Sequence, residues 1–187
     1  MMPRRSDARR NALIAAERLF RIKGYAATGL AEILAASGAP KGSFYFHFPD
    51  GKAQVAREVL AAYDARGAAV LTALARRHAG EPDAFVAALC DAIIREMRDA
   101  DWMLGCAAQN IAAEALPADD ALLASAAAVF ASWVAVLARA LGRPRRESHC
   151  TALALLAAIA GARTLARASR SAAPFEAIKR MRWGPDK

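Results

Sequence analysis

The stretch Thr28 to Lys52, TGLAEILAASGAPKGSFYFHFPDGK, constrains the fold more than any other part of the chain. Leu30, Ile33 and Leu34 recur at spacings of three and four, so they share one face of a short helix that opens just after Thr28. Ser37-Gly38-Ala39-Pro40 breaks that pattern, because Gly38 tolerates positive φ and Pro40 suits the first turn of a following helix. Phe44 and Phe48 stand four apart and pack inward, leaving Lys41, Ser43, Tyr45 and His47 mostly on the other side. Two short helices across a glycine-containing turn describe a helix-turn-helix. Hydroxyls, a lysine and aromatic rings on the second helix suit phosphate oxygens and base edges in a major groove.

Charge supports the same end of the molecule. Residues 1–52 hold nine Lys/Arg against four Asp/Glu, whereas the rest of the chain holds seventeen against fourteen. A basic amino-terminal third matches a polyanionic partner, although a soluble basic surface has the same signature. Arg4, Arg5, Arg9 and Arg10 in the opening arm and first helix either flank the site as phosphate contacts or form a solvated helix start. Cys90, Cys106 and Cys150 are odd in number and widely spaced, which fits a reducing cytoplasm and neither a disulfide framework nor a metal site. The start MMPRRSDARR is not followed by an apolar run, so no secretory signal is expected. Ala121 to Ala138 is uncharged, but its alanine content, its serines and its flanking Asp119, Asp120 and Arg139 favour a buried helix over a membrane span.

Periodicity predicts an all-α chain of about nine helices. The first runs from Ser6 or Asp7 to Lys23 and ends at Gly24. After the helix-turn-helix a long fourth helix covers about Gly51 to His78, with Asp50 as its cap and Gly67 as a soft point. A cation gains nothing from the dipole at a helix start, so Lys52 makes better sense if a DNA phosphate also meets that end. The fifth helix spans about Pro82 to Arg98 and the sixth about Gly105 to Ala115, closed by Pro117. The seventh spans Asp119 to Leu141, the eighth Arg145 to Ser169, and the last Pro174 to Arg182. Two domains are expected: residues 1–50 for DNA, and residues 51–187 for ligand binding and dimerisation. The eighth and ninth helices would pair with a second copy, Leu156 lying in the contact.

The helix-turn-helix resembles the TetR family of bacterial repressors, whose pattern runs roughly T-x-V-x-x-I-A-x-x-A-G-V-S-x-G-x-x-Y-x-x-F-x-x-K. Thr28, Leu30, Ile33, Gly38, Gly42, Tyr45, Phe48 and Lys52 occupy its places. Leu34, Ser37 and Ala39-Pro40 depart from it, and F-P-D-G-K holds one residue more before Lys52. That insertion is similar to the LmrA/YxaF-like subgroup, as is GCxxxN followed by a glutamate. The resemblance implies DNA contacts from Thr28, Lys41, Gly42, Ser43, Tyr45, Phe46, His47 and Lys52. Tyr45 and His47 resemble positions that hydrogen-bond phosphates, or else His47 is simply a satisfied histidine at its helix end. Lys41 reaches a base or a phosphate, and Phe46 meets a thymine methyl or simply packs. Ala31 leaves the second helix without a polar reader, so readout falls on residues 41–47. In the family the fourth helix links the DNA-binding head to the rest, and its tilt transmits the ligand signal.

Cys106, Gln109, Asn110 and Glu114 form a polar stripe at spacings of three and four, near the bulky Trp102, Met103, Phe130 and Trp133. These eight are the candidate ligand-binding residues. They form either an apolar cavity with a few orienting groups or plain core with inter-helix hydrogen bonds. The subgroup resemblance implies an aromatic or drug-like effector, since its regulators respond to flavonoids and drug-like compounds. An enzyme built on Glu114 with Cys106 or His149 is the rival class. No nucleophile–base set, phosphate loop or metal cluster is legible, so no catalytic residue, cofactor or metal is expected. A DNA-binding protein without a ligand is the second rival, yet it would not need some 130 residues beyond its helix-turn-helix. The expectation is therefore a cytoplasmic, homodimeric, ligand-responsive repressor on a palindromic operator.

Overall fold

The computed structural model describes residues 5–39, 41–115 and 119–185. Among these the chain is helical throughout: α1 (Arg5–Lys23), α2 (Leu30–Ser37), α3 (Lys41–His47), α4 (Gly51–Arg77), α5 (Pro82–Asp99), α6 (Ala107–Ala115), α7 (Asp120–Ala140), α8 (Arg145–Ser169) and α9 (Ala173–Lys179). Arg4, Pro40 and Pro117, to which the sequence assigns roles, lie outside the described residues, as does the side chain of Arg5. Most boundaries fall within two residues of expectation. The last helix is the exception: it stops at Lys179, three residues short, because Trp183 and Gly184 are drawn into other bonds.

The helices sort into two compact units, Met1–Tyr63 with Ala107–Val129, and Asp64–Cys106 with Phe130–Lys187. This cut differs from a division after residue 50. It runs through α4 and α7, and α6 goes with the helix-turn-helix. The reason is local, since Asn110 and Glu114 on α6 bond to the backbone around the end of α1.

In the first unit α1 packs on α2, α3 and α6. Phe20, Ile33, Phe44, Phe48, Leu60, Ile111 and Leu122 are all buried there. Each such side chain contributes about 1.5–3 kcal/mol by leaving water. The Phe44 and Phe48 rings lie 4.9 Å apart, which fixes how α3 is seated.

The second unit is cored by Phe85, Val86, Leu89, Ile93 and Met97 of α5 with Leu137, Leu141, Leu155, Ile159 and Phe175. Its tail is clasped. Asp83 Oδ1 accepts the backbone N–H groups of Trp183 (2.7 Å) and Gly184 (3.2 Å), and the Trp183 indole donates to the Ile178 carbonyl at 3.0 Å. Arg143 donates to the Trp183 and Gly184 carbonyls, at 3.1 and 2.6 Å. The backbone bond from Trp183 is the main reason the Asp83 carboxyl sits below its ordinary range. Gly67 is a close approach: a Cβ there would fall 2.7 Å from the Trp133 ring, so the indole lies directly against α4.

Two helical segments, Asp120–Ala140 and Glu147–Ser169, are long and apolar enough to cross a membrane by length and composition. Both also supply buried core residues, among them Leu122, Leu137, Leu155 and Ile159. Cys90, Cys106 and Cys150 are all free thiols, and burial pushes the Cys90 thiol up to about 12, which keeps it neutral and inert.

Candidate nucleic-acid interface

The turn between α2 and α3 is set by Gly38, the C-cap of α2, at φ 65°. A Cβ disfavours that conformation, so glycine is what lets the chain reverse here. Ser37 completes the turn: its hydroxyl donates to the Leu34 carbonyl and accepts the Ala39 N–H. Beyond it, buried Phe44 and Phe48 anchor one side of α3. Lys41, Gly42, Tyr45 and Phe46 are left exposed on the other, Phe46 at 72%. Ser43 and His47 are half-buried between these faces. Apart from its own helix backbone and chain neighbours, no described atom lies within 4 Å of the place a Gly42 Cβ would occupy, so no described contact of α3 requires a glycine there.

Two expected DNA contacts have internal roles. Thr28 is fully buried, and its hydroxyl donates to the Gly24 carbonyl at 2.6 Å. The expectation that its side chain touches DNA therefore does not fit this conformation. Lys52 is half-buried, and its ammonium donates to the Tyr25 and Thr28 carbonyls, both at 3.1 Å, 4.3 Å from the Tyr25 ring centroid. Those carbonyls and the ring account for a cation at a helix start without a phosphate, although an ammonium has three N–H groups. Arg9 pairs with Glu58 at 2.6 Å, and Arg57 with Asp50 at 3.0 Å. Asp50 thus serves an ion pair, and its own N–H is taken by Gln54 at 3.2 Å. Gln54 also donates to the His47 carbonyl and to Glu58, tying the end of α3 to α4. Sequence reading passed over Gln54, Arg57 and Glu58. Spacing four along α4 marks Gln54 and Glu58 as a pair, whereas the Arg57–Asp50 pair, seven apart, has no such signal in the sequence.

The polar stripe on α6 turns toward the same region from inside. Asn110 Nδ2 donates to the carbonyls of Phe20 (2.8 Å) and Arg21 (3.3 Å), in the last turn of α1. Glu114 Oε2 accepts the Ala26 N–H at 2.5 Å. Gly24, at φ 93°, sits so close that a Cβ would fall 2.2 Å from Glu114 Oε1. Asn110 and Glu114 are therefore committed to holding the α1–α2 junction. The eight candidate ligand residues divide: Gln109, Asn110 and Glu114 fall in the first unit, and Trp102, Met103, Cys106, Phe130 and Trp133 in the second. Within the second unit the Phe130 and Trp133 rings meet edge to face at 6.4 Å, while Trp102 and Met103 line a separate groove.

Comparison with known proteins agrees with this geometry. Residues 12–59 match the family model for bacterial regulatory proteins of the tetR family, and residues 82–181 match that of the LmrA/YxaF-like transcriptional regulator C-terminal domain. The HTH-type transcriptional regulator LmrA of Bacillus subtilis is 56% identical over 54 residues, 29% of either chain. The uncharacterized HTH-type transcriptional regulator YxaF of the same organism is 33% identical over 140 residues, 75% of this chain and 73% of that one. In fold, the chain is similar to the regulatory protein TetR from Rhodobacter sphaeroides (TM-score 0.85, 24% identity, covering 92% of this chain and 95% of that one). Both Bacillus subtilis relatives are HTH-type transcriptional regulators by name. An exposed, aromatic-bearing second helix on a glycine turn, with both family models matching, identifies the chain as a DNA-binding transcription regulator of the TetR family, in its LmrA/YxaF-like branch.

Proposed function

We propose that the chain is a cytoplasmic homodimeric repressor that binds a palindromic operator and is released by a small aromatic or drug-like effector. One observation carries the DNA half of this reading: α3 presents Lys41, Gly42, Tyr45 and Phe46 outward while Phe44 and Phe48 hold it from behind. Tyr45, His47 and the third N–H of Lys52 serve phosphates, Lys41 and Ser43 serve a base or a phosphate, and Phe46 covers an apolar base edge. In a dimer, the two α3 helices enter major grooves about 34–36 Å apart or a multiple of that.

Dimerisation is assigned to α8 and α9. Leu153 and Leu165 stand 47% and 61% exposed on α8, and Ala154, Ala157, Gly161 and Ala168 are exposed with them. Leu156, in contrast, packs against the core of its own unit, so Leu165 and not Leu156 is the residue to charge. The effector reading rests on Trp102, Met103, Cys106, Phe130 and Trp133 together with family membership, and α4 would carry the signal to α3. Effector and DNA affinities then oppose each other by one coupling energy, about 1–3 kcal/mol. Residues 1–50 act as the DNA-binding part and 51–187 as the sensing and dimerising part.

The test is selection of bound duplexes from a random pool. Enrichment of an inverted repeat, lost with Leu165→Glu as sedimentation shifts to monomer, is the expected result. Enrichment of a single asymmetric site by a monomer would sink the reading. Full affinity for the selected site whatever compound is screened would favour the rival, a ligand-independent DNA-binding protein.

A further inference from the structure

We infer that Gln54 is a positioning residue for operator discrimination, acting through α3; the inference rests on the reading of α3 as the helix that meets DNA. A glutamine amide carries an acceptor and two donors on one plane. Here Oε1 accepts the Asp50 N–H at 3.2 Å, at the start of α4. Nε2 donates to the His47 carbonyl at 3.3 Å, at the end of α3, and to Glu58 Oε1 at 3.1 Å. One side chain thus serves the last turn of one helix and the first turn of the next, where backbone groups lack partners in their own helix. The neighbours also fix which way the amide points. Reversed, its oxygen would face the His47 carbonyl and the Glu58 carboxylate, three acceptors together.

Glu58 carries the tie on to α1. Its Oε2 pairs with Arg9 at 2.6 Å, and the Arg9 guanidinium stands 5.7 Å from the centroid of the Phe48 ring. A continuous set of contacts therefore runs from α1 through Glu58 and Gln54 to the backbone of α3, all within the first unit. With seven residues, α3 is too short to keep its shape without such support. Phe44 and Phe48 hold it from behind at two points one turn apart, which sets its depth and leaves it free to rock about the line joining them. The bond to the His47 carbonyl adds a third point, directional and supplied by a different helix. Base contacts need a donor and an acceptor within hydrogen-bond reach, whereas attraction to phosphates persists over about 8 Å at physiological salt. A rocking α3 therefore loses discrimination between sequences before it loses affinity for DNA in general.

The test compares the affinity of the full chain for its selected inverted repeat with that for a scrambled duplex of equal length. Gln54→Met keeps the length and the neutrality of the side chain and removes its hydrogen bonds. The ratio of the two affinities should fall about tenfold, the upper scale of one neutral hydrogen bond. The loss should fall on the selected repeat, while affinity for the scrambled duplex stays within about twofold because no charge has changed. Gln54→Glu is the second variant: it keeps an acceptor for Asp50, removes the donor to His47, and its added charge weakens both duplexes and cancels in the ratio. Circular dichroism and a cooperative melt establish that each variant folds. A wild-type ratio in either folded variant overturns the inference and leaves the DNA-binding reading standing. So does an equal loss on both duplexes in Gln54→Met, the mark of general destabilisation. A wild-type chain that binds both duplexes alike overturns the operator reading and this inference together.

Discussion

Helices α3 and α6 are short, carry polar side chains at helical spacing, and belong to the same compact unit, yet they spend those side chains in opposite ways. On α3, Lys41, Tyr45 and Phe46 face outward, and Gly42 leaves a bare strip of backbone among them. On α6, Asn110 and Glu114 bond to the backbone at Phe20, Arg21 and Ala26, where the carbonyls at the end of one helix and the first amides beyond it need partners. The difference teaches that residue type marks a capacity for hydrogen bonding, and that the neighbouring element decides whether the capacity remains for a partner molecule. Outward groups should govern binding without stability, and inward groups stability without binding.

The largest expected effect breaks the inward side. Asn110→Leu removes the donor that serves two carbonyls and should cost about 1–3 kcal/mol, read as a lower denaturation midpoint. Loss of effector binding at full stability would put Asn110 among the ligand residues instead. Next is the outward side. Phe46→Ala should leave stability within about 0.5 kcal/mol. Operator affinity should nonetheless fall by about tenfold, close to 1.4 kcal/mol, the scale of one lost base contact. Comparable losses in both would show that Phe46 packs in the chain. Lys52 belongs to both sides, so Lys52→Ala should cost about 1 kcal/mol of stability and flatten the salt dependence of operator binding by about one unit. An unchanged slope would make it a purely internal residue. The smallest effect is a control: a double-mutant cycle on the surface pair Lys23–Glu32, 2.8 Å apart, should yield about 0.5 kcal/mol or less.

The helix-turn-helix was legible in the sequence because its parts are local. Gly38 must turn the chain, and Phe44 and Phe48, four apart, must share a side of α3. Helix positions were legible for the same reason. What lay opposite each helix was not, since spacing defines a face without naming its neighbour. Glu114 meets Ala26 across 88 positions and Asp83 meets Trp183 across 100, and neither pairing leaves a periodic trace. Leu156 and Leu165 look alike as text, but one packs on the core of its unit and the other stands in the open. Thr28 matched a family pattern, yet its hydroxyl is spent on the Gly24 carbonyl. A pattern position can mark a structural need as readily as a contact.

Gly67, a soft point in α4 by residue type, is in the structure the place where the Trp133 indole rests on that helix. An indole's emission responds to its surroundings, so this chain carries a natural gauge of the spacing between α4 and α7. Trp183 is buried in the tail clasp and Trp102 lies in the groove, so replacing both by phenylalanine would leave a single emitter at the helix crossing. Any ligand that shifts α4 would then announce itself as a colour change before its chemistry, or its operator, is known.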